Sequence, residues 1–397
     1  MQDQRKVIIS IFLLIVLQQI PVDIYLPSFP SMADYFSVSP PMIQDTLTMY
    51  LLGFGISPII WGPCSDKYGR KKILFFSLAL YNLAIFGSAI STSIYWMFVF
   101  RALAGIAAGG LQVSTSAMAR DITSDKSLLI LSSYMSLIWA IIPIVAPVIG
   151  GYIHTYLGWQ SNFYFILLWG LPVFYFIFLY LPETNHHLET YTFRSIVYRF
   201  ALTFRNTKFT FYVLTTGLSF SLTIAFCTAA PFLLQKDLGL NEVQFGWAMF
   251  FVAGGYLLGV ITNSRLLTYF SAERIIQTGL LCSMTAVTVM VLLATMDVFT
   301  IISVVGPAFL IIFSQGLIFP NALGLAMNNL KHDFGLSSSL LTSYQLIIVG
   351  AASHFVTYFE HTTPLPLAMI MFGITALLSM LYVLFVLFIV NTERISE

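Results

Sequence analysis

The stretch Gly62-Pro63-Cys64-Ser65-Asp66-Lys67-Tyr68-Gly69-Arg70-Lys71-Lys72 sets one carboxylate and four cations between two long apolar runs. A segment this polar does not stay in hydrocarbon, whereas the run on either side is long enough to cross a bilayer core about 30 Å thick. The segment therefore reads as a turn between two membrane helices. Gly62 lets two helices approach closely, Gly69 permits a reversing backbone, and Asp66 can accept hydrogen bonds or sit at a helix amino terminus.

Outward from this turn the same alternation continues from Val7 to Val390. Breaking the apolar runs at charged, Pro or Gly clusters places spans at 7–25, 42–62, 73–92, 95–117, 129–153, 162–181, 209–232, 243–264, 274–294, 298–319, 339–360 and 365–390. The expected class is all-α, with twelve transmembrane helices. Composition agrees: of 397 residues 58% are hydrophobic and 9% charged, against roughly 25% charged in a soluble domain. The net charge of +1 gives no basic surplus for phosphates, so nucleic acid is not an expected partner. Cys64, Cys227 and Cys282 are far apart and lack nearby ligand spacing, so neither a disulfide framework nor a metal site is expected. Arg5-Lys6 before an apolar run imitates a secretory signal, but no small-x-small site closes it, and it reads as an uncleaved first helix.

With the amino terminus inside, the cytoplasmic segments hold sixteen Lys and Arg, and the opposite loops hold only Lys236. By the positive-inside rule both termini are cytoplasmic. The longest polar stretch, 182–208, carries four cations with His186 and His187. It separates an amino-terminal six-helix bundle, 1–181, from a carboxy-terminal one, 209–397. Within it, Tyr191 to Phe200 is amphipathic enough to lie on a membrane surface, or is simply a linker.

The turn resembles the G-x-x-x-D-x-x-G-R-[KR] loop of the major facilitator superfamily. Further residues resemble one group within it. Asp23-Ile24-Tyr25-Leu26-Pro27-Ser28-Phe29-Pro30 looks like the D-x-Y-L-P-x-x-P signature of Bcr/CflA-type drug-resistance transporters. Arg101 with Gly105 and Gly109 resembles the span-four motif of the superfamily, and Arg120-Asp121 the R-D that follows it. Pro143 to Gly151 is similar to the group's P-x-x-A-P-x-x-G-G form of span five, and Leu181-Pro182-Glu183-Thr184 to its exit from span six. There are departures: Ala146 stands where the general antiporter motif has Gly, Gln160 where Arg is expected, and Gly259 to Arg274 keeps little of a second copy of the turn.

The resemblance implies two pseudo-symmetric bundles working by alternating access in a bacterial inner membrane. A proton gradient drives them and no cofactor is needed; a monomer is expected. It also implies that Gly62, Asp66, Gly69, Arg70 and Lys71 latch the halves together in the outward-facing state. Asp66 would then face Ser337-Ser338-Ser339, with Arg120 as a second partner. Pro143, Pro147, Gly150 and Gly151 would pack span five closely and limit proton leakage.

Ionisable groups at membrane depth are costly and are functional candidates by default. Asp23 lies within or at the edge of span one, Asp45 marginally in span two, Arg101 inside span four and His354 inside span eleven. Burial disfavours a charged carboxyl, so Asp23 is the expected proton-coupling residue. Alternatively, it is solvated at the outer interface. Arg101 is a countercharge to a proton site, an anchor for an anionic substrate, or a donor to backbone carbonyls of span one. His354 shares the proton work, or is a satisfied interior histidine. Polar and aromatic residues without reason to face lipid mark the expected cavity: Gln18, Gln19, Tyr50, Gln112, Tyr134, Trp139, Gln315, Tyr344 and Gln345. Such walls suit amphipathic molecules.

Three functions are weighed. The first is proton-coupled export of drug-like compounds, and the second a carrier for a specific metabolite such as a carboxylate-type siderophore held by Arg101. The third is a membrane-embedded enzyme or receptor. The last lacks a nucleophile with partners, a second deep carboxylate or a sensing domain.

Overall fold

The computed structural model of the chain describes residues 2–123, 125–185, 205–328, 334–359 and 363–396, and their regular structure is helical. Among the described residues twelve helices are long and apolar enough to cross a membrane, in agreement with the expected class. In chain order they are Gln4–Phe36, Pro40–Tyr68, Arg70–Ala89, Ile94–Asp121, Ile130–Leu157, Gln160–Tyr180, Thr207–Asp237, Glu242–Leu266, Ala272–Thr295, Ile301–Asn328, Ser339–Thr357 and Pro364–Leu387. We number them spans 1 to 12. The end carrying the amino terminus and the 62–72 turn is the near end; the opposite one is the far end. Residues 186–204, which include the amphipathic stretch Tyr191 to Phe200, lie outside the described residues, as do the side chains of Ser337 and Ser338.

Two helices only exclude lipid from their shared face if they pack, and the packing follows one rule twice. In the first half, span 4 packs on spans 1, 2 and 3, span 6 on spans 1 and 3, and span 5 on span 1. Adding six to each number gives the pairings of the second half: 10 with 7, 8 and 9; 12 with 7 and 9; 11 with 7. The halves meet along two seams, span 2 against span 11 and span 5 against span 8. Those seams exchange under the same shift of six, so the fold is two pseudo-symmetric six-helix bundles.

Within each half the tightest approach rests on glycine. A side chain at Gly105 would run into the Tyr50 carbonyl of span 2, and one at Gly259 into the Phe313 carbonyl of span 10. Small residues let backbones approach and maximise dispersion contact where lipid offers no hydrophobic drive. Spans 2 and 4, and spans 8 and 10, are thereby held backbone to backbone.

Span 1 departs from expectation. Its apolar run was expected to end near residue 25, but the helix Gln2–Asp23 is followed by a single 3₁₀ turn, Leu26–Ser28, and a second helix, Phe29–Phe36. Proline carries no N–H and cannot continue the ladder. Pro27 and Pro30 therefore break the helix without ending the span. Asp23 thus stands at an interior break, not at a solvated end. Span 5, by contrast, lies within one unbroken helix, Asp125–Leu157, through Pro143 and Pro147.

Candidate functional site

Pro21 and the break that follows it leave backbone carbonyls of span 1 open to outside donors inside a bilayer, where an unsatisfied carbonyl costs several kcal/mol. Side chains from neighbouring spans satisfy them. Pro21 deprives the Leu17 carbonyl of its helical donor, and Tyr81 of span 3 donates its hydroxyl there at 2.6 Å. Tyr50 of span 2 donates to the Gln18 carbonyl at 2.8 Å. Arg101 of span 4 donates to the Pro21 carbonyl at 3.0 Å.

Arg101 is 0% exposed. Its guanidinium lies 4.4 Å from the Tyr25 ring centroid and 4.5 Å from that of Tyr50, so two aromatic faces replace part of its hydration. It also donates to the Tyr25 hydroxyl at 3.2 Å and the Thr46 carbonyl at 3.4 Å, while Nη1 is buried without a hydrogen-bond partner. Of the readings open from sequence, the backbone-carbonyl contact on span 1 is the one the geometry contains. A guanidinium with no exposed surface does not meet a solute in this conformation.

Asp23 is 4% exposed. Its carboxyl shares a hydrogen bond with Gln19, one helical turn back, and its Oδ2 is buried without a partner. Cys227 of span 7, in the opposite half, lies within its electrostatic reach. Asp23 and Gln19 are together; Gln18 turns instead to Thr115 of span 4 at 3.1 Å. Across the interior, Gln315 of span 10 accepts from Thr223 of span 7 at 3.1 Å and leaves its Nε2 buried without a partner.

The other expected cavity residues scatter. Trp139 packs half-buried against the main core, and Tyr344 against a second apolar cluster around Phe209, Ile318 and Tyr382. Gln345 is half-buried on span 11, and Tyr134 is 58% exposed on span 5. Gln112 lines a separate near-end cavity of about 120 Å³ with Asp66, Arg70, Arg120, Asp121 and Ser339.

That cavity contains the turn. Asp66, near the end of span 2, pairs with Arg70 at the start of span 3, and Arg70 reaches Asp121 at 3.4 Å. The Asp66 and Asp121 carboxylates both act on the Arg120 guanidinium. Gly62 faces Ser339 of span 11. Gly69 has a φ of +96°, which a side chain rarely adopts. Beside it the Glu183 carboxylate accepts from the backbone N–H groups of Arg70 at 2.9 Å and Lys71 at 3.1 Å. An anion at a helix amino terminus satisfies orphan donors and complements the helix dipole. From sequence, Glu183 is only part of an exit motif; its role as the cap of span 3 emerges from the fold.

At the far end both seams are closed by bonds between the halves. Along spans 2, 7 and 11, Gln44 donates to the Thr228 carbonyl at 3.0 Å, Thr48 to Ser353 at 2.9 Å, and Asp45 meets His354 at 2.8 Å. Along spans 5 and 8, His154 lies 3.5 Å from Glu242, and a side chain at Gly151 would strike the Glu242 carbonyl. Gly150 presses likewise on the Ile24 carbonyl at the break of span 1, so span 5 touches both the break and the opposite half. Sequence places His354 at membrane depth. In the structure it is three residues from the end of span 11 with a side chain 44% exposed, at the far-end rim. His154 and Glu242 escape sequence reading because span 5 runs on to Leu157, past the expected end at 153.

Comparison with known proteins supplies the setting. A model of the Major Facilitator Superfamily matches residues 11–353. The bicyclomycin resistance protein homolog of Haemophilus influenzae is 28% identical over 372 residues, covering 92% of this chain and 93% of that one. Multidrug resistance protein D of Escherichia coli is 24% identical over 352 residues, covering 88% of each. Among solved structures, the D-xylose-proton symporter matches with a TM-score of 0.78 over 96% of this chain and 97% of that one, at 13% identity. That last likeness is one of fold alone.

Proposed function

The chain belongs to the Major Facilitator Superfamily, and from that premise we propose that it is a proton-coupled exporter of small amphipathic, drug-like molecules. Membership makes it a membrane transporter and not an enzyme. The finer reading is of the Bcr/CflA type: a multi-pass protein of a bacterial inner membrane, acting as a monomer without a cofactor. Both termini, and with them the near end, are cytoplasmic. Relatives named for bicyclomycin and multidrug resistance support the cargo class.

The observation that carries the proposal is the Asp23 carboxyl. It is buried at the break of span 1, and its Oδ2 has no hydrogen-bond partner. Such a group gains by taking either a proton or a cation. Protonation from outside releases cargo, and deprotonation inside readies the carrier to load. Arg101 is committed to span 1 carbonyls and two tyrosine rings, so it acts as a fixed positive charge near this site. A carboxylate-rich cargo finds no exposed guanidinium there, which sets the metabolite-carrier reading behind the drug-export reading.

The test is transport in proteoliposomes under an imposed pH gradient, with one lipophilic cation, one neutral drug and one polycarboxylate. The expected result is gradient-driven movement of the cation or neutral drug, with coupling lost in Asp23→Asn. Movement of the polycarboxylate alone, or normal coupling in the variant, overturns the proposal.

A further inference from the structure

Each far-end seam sets a histidine of one half against a carboxylate of the other, and the two histidines stand at equivalent places. His154 precedes the end of span 5 at Leu157 by three residues, and His354 precedes the end of span 11 at Thr357 by three. Each follows a close-packed glycine by four positions, Gly150 and Gly350. Spans 5 and 11 exchange under the shift of six, and so do spans 8 and 2, which supply the facing carboxylates Glu242 and Asp45. A single histidine at a helix end is unremarked; two related by the pseudo-twofold axis, each facing a carboxylate of the other half within 3.5 Å, are a repeated device.

We infer that the pairs His354–Asp45 and His154–Glu242 form a twofold-related clasp that holds the far end shut when the compartment it faces is acidic. The inference rests on the two halves rocking against each other, not on the nature of the cargo.

The surroundings are simple. Facing His354 are Asp45 from span 2, with Oδ1 2.8 Å from Nδ1, and Tyr358 on its own helix, with its hydroxyl 3.1 Å from Nε2. Asp45 also accepts from Thr357 at 3.5 Å. Span 7 presents to this region the Thr228 hydroxyl, at 3.2 Å from Ser353. Facing His154 are Glu242 from span 8, 3.5 Å from Nε2, and the Ser31 hydroxyl from span 1 at 3.0 Å. Among the described residues neither ring forms an ion pair or hydrogen bond with a cation, and each imidazole meets one carboxylate.

Imidazole changes charge within the physiological range. Neutral His354 donates one N–H to the Asp45 carboxylate; the protonated ring adds the attraction of opposite charges to that bond and donates to Tyr358 from its other nitrogen. At His154 the Nδ1 is buried without a partner, so the added proton is not bonded there, and the larger response falls to His354. An exposed ion pair shifts a two-state equilibrium by about two- to fivefold. Well-separated pairs multiply. Acid on the far side then favours the far-end-closed state, the state in which protons and cargo face the near end.

The experiment measures far-end separation by pulsed electron-electron spin resonance in nanodiscs, without cargo or gradient. Spin labels are attached at Tyr95→Cys and Met296→Cys, exposed far-end sites in opposite halves, with Cys64, Cys227 and Cys282 replaced by Ser. Expected is a ratio of short to long distances about fivefold higher at pH 5.5 than at pH 7.5. The shift should fall below about twofold in His154→Gln/His354→Gln and in Asp45→Asn/Glu242→Gln, and His354→Gln alone should remove most of it. A flat ratio in the parent, or a full shift retained in either double variant, overturns the inference. Because no cargo is used, failure of the export reading shows itself only in the proteoliposome assay.

Discussion

The hydroxyl of Tyr81 takes the place of the backbone donor that Pro21 denies to Leu17, at 2.6 Å from its carbonyl oxygen. Tyr81→Phe should therefore strand that carbonyl and destabilise the fold by about 1–3 kcal/mol. Pro21→Ala restores an N–H to the ladder, so the same substitution made in that background should cost measurably less. Thermal melting of the four proteins in detergent checks this; strict additivity around the cycle would refute the relationship.

Arg101→Lys should be far from conservative. A lysine cannot fork between the Pro21 carbonyl and the Tyr25 hydroxyl, and stacks less well between Tyr25 and Tyr50. A stability loss of about 2–3 kcal/mol is expected, with transport lost in step, as followed by melting and substrate efflux. A stable but uncoupled Arg101→Lys would instead mark the guanidinium as part of proton coupling.

Asp23→Asn should leave stability unchanged or raise it, since an amide is less costly to bury than an unfilled carboxylate. Transport driven by the pH gradient should nevertheless vanish. The combination of a higher melting temperature and lost coupling separates a functional carboxyl from a structural one.

Gly150→Ala forces a methyl group into the Ile24 carbonyl. Over-packing of this kind costs about 1–3 kcal/mol, and here it acts only while span 5 lies against the break of span 1. Far-end distances measured between spin labels should shift toward the open population. An unchanged distribution would mean that span 5 and span 1 move as one piece.

Glu183→Ala removes the anion that caps span 3 and should cost about 1 kcal/mol. Its effect is local: faster hydrogen exchange at the amides of Arg70 and Lys71, whose N–H groups it accepts, with the far end undisturbed.

Hydropathy and cation asymmetry are enough to count twelve spans, because each helix must satisfy its own backbone in lipid and so carries its signal locally. Asp23 is legible for a related reason: a carboxylate in an apolar run has no bland explanation. What local reading misplaces is the end of span 1, since Pro27 and Pro30 look the same whether a helix stops or merely breaks. Glu183, Glu242 and His154 were illegible as site residues. Their meaning comes from partners more than eighty residues away in sequence, and no periodicity records such a pairing. His354 stands out by its position in an apolar run, yet its place at the rim depends on where span 11 ends.

The backbone-to-backbone joints at Gly105 and Gly259 have a mechanical consequence. Spans 2 and 8 carry the seams, and each is fused to the helix behind it, so neither can bend alone to admit a solute. Each half behaves as a stiff beam pivoting on the other. Widening the gap at one extremity then narrows it at the opposite one, and a conduit open to both compartments at once would require the beam itself to yield.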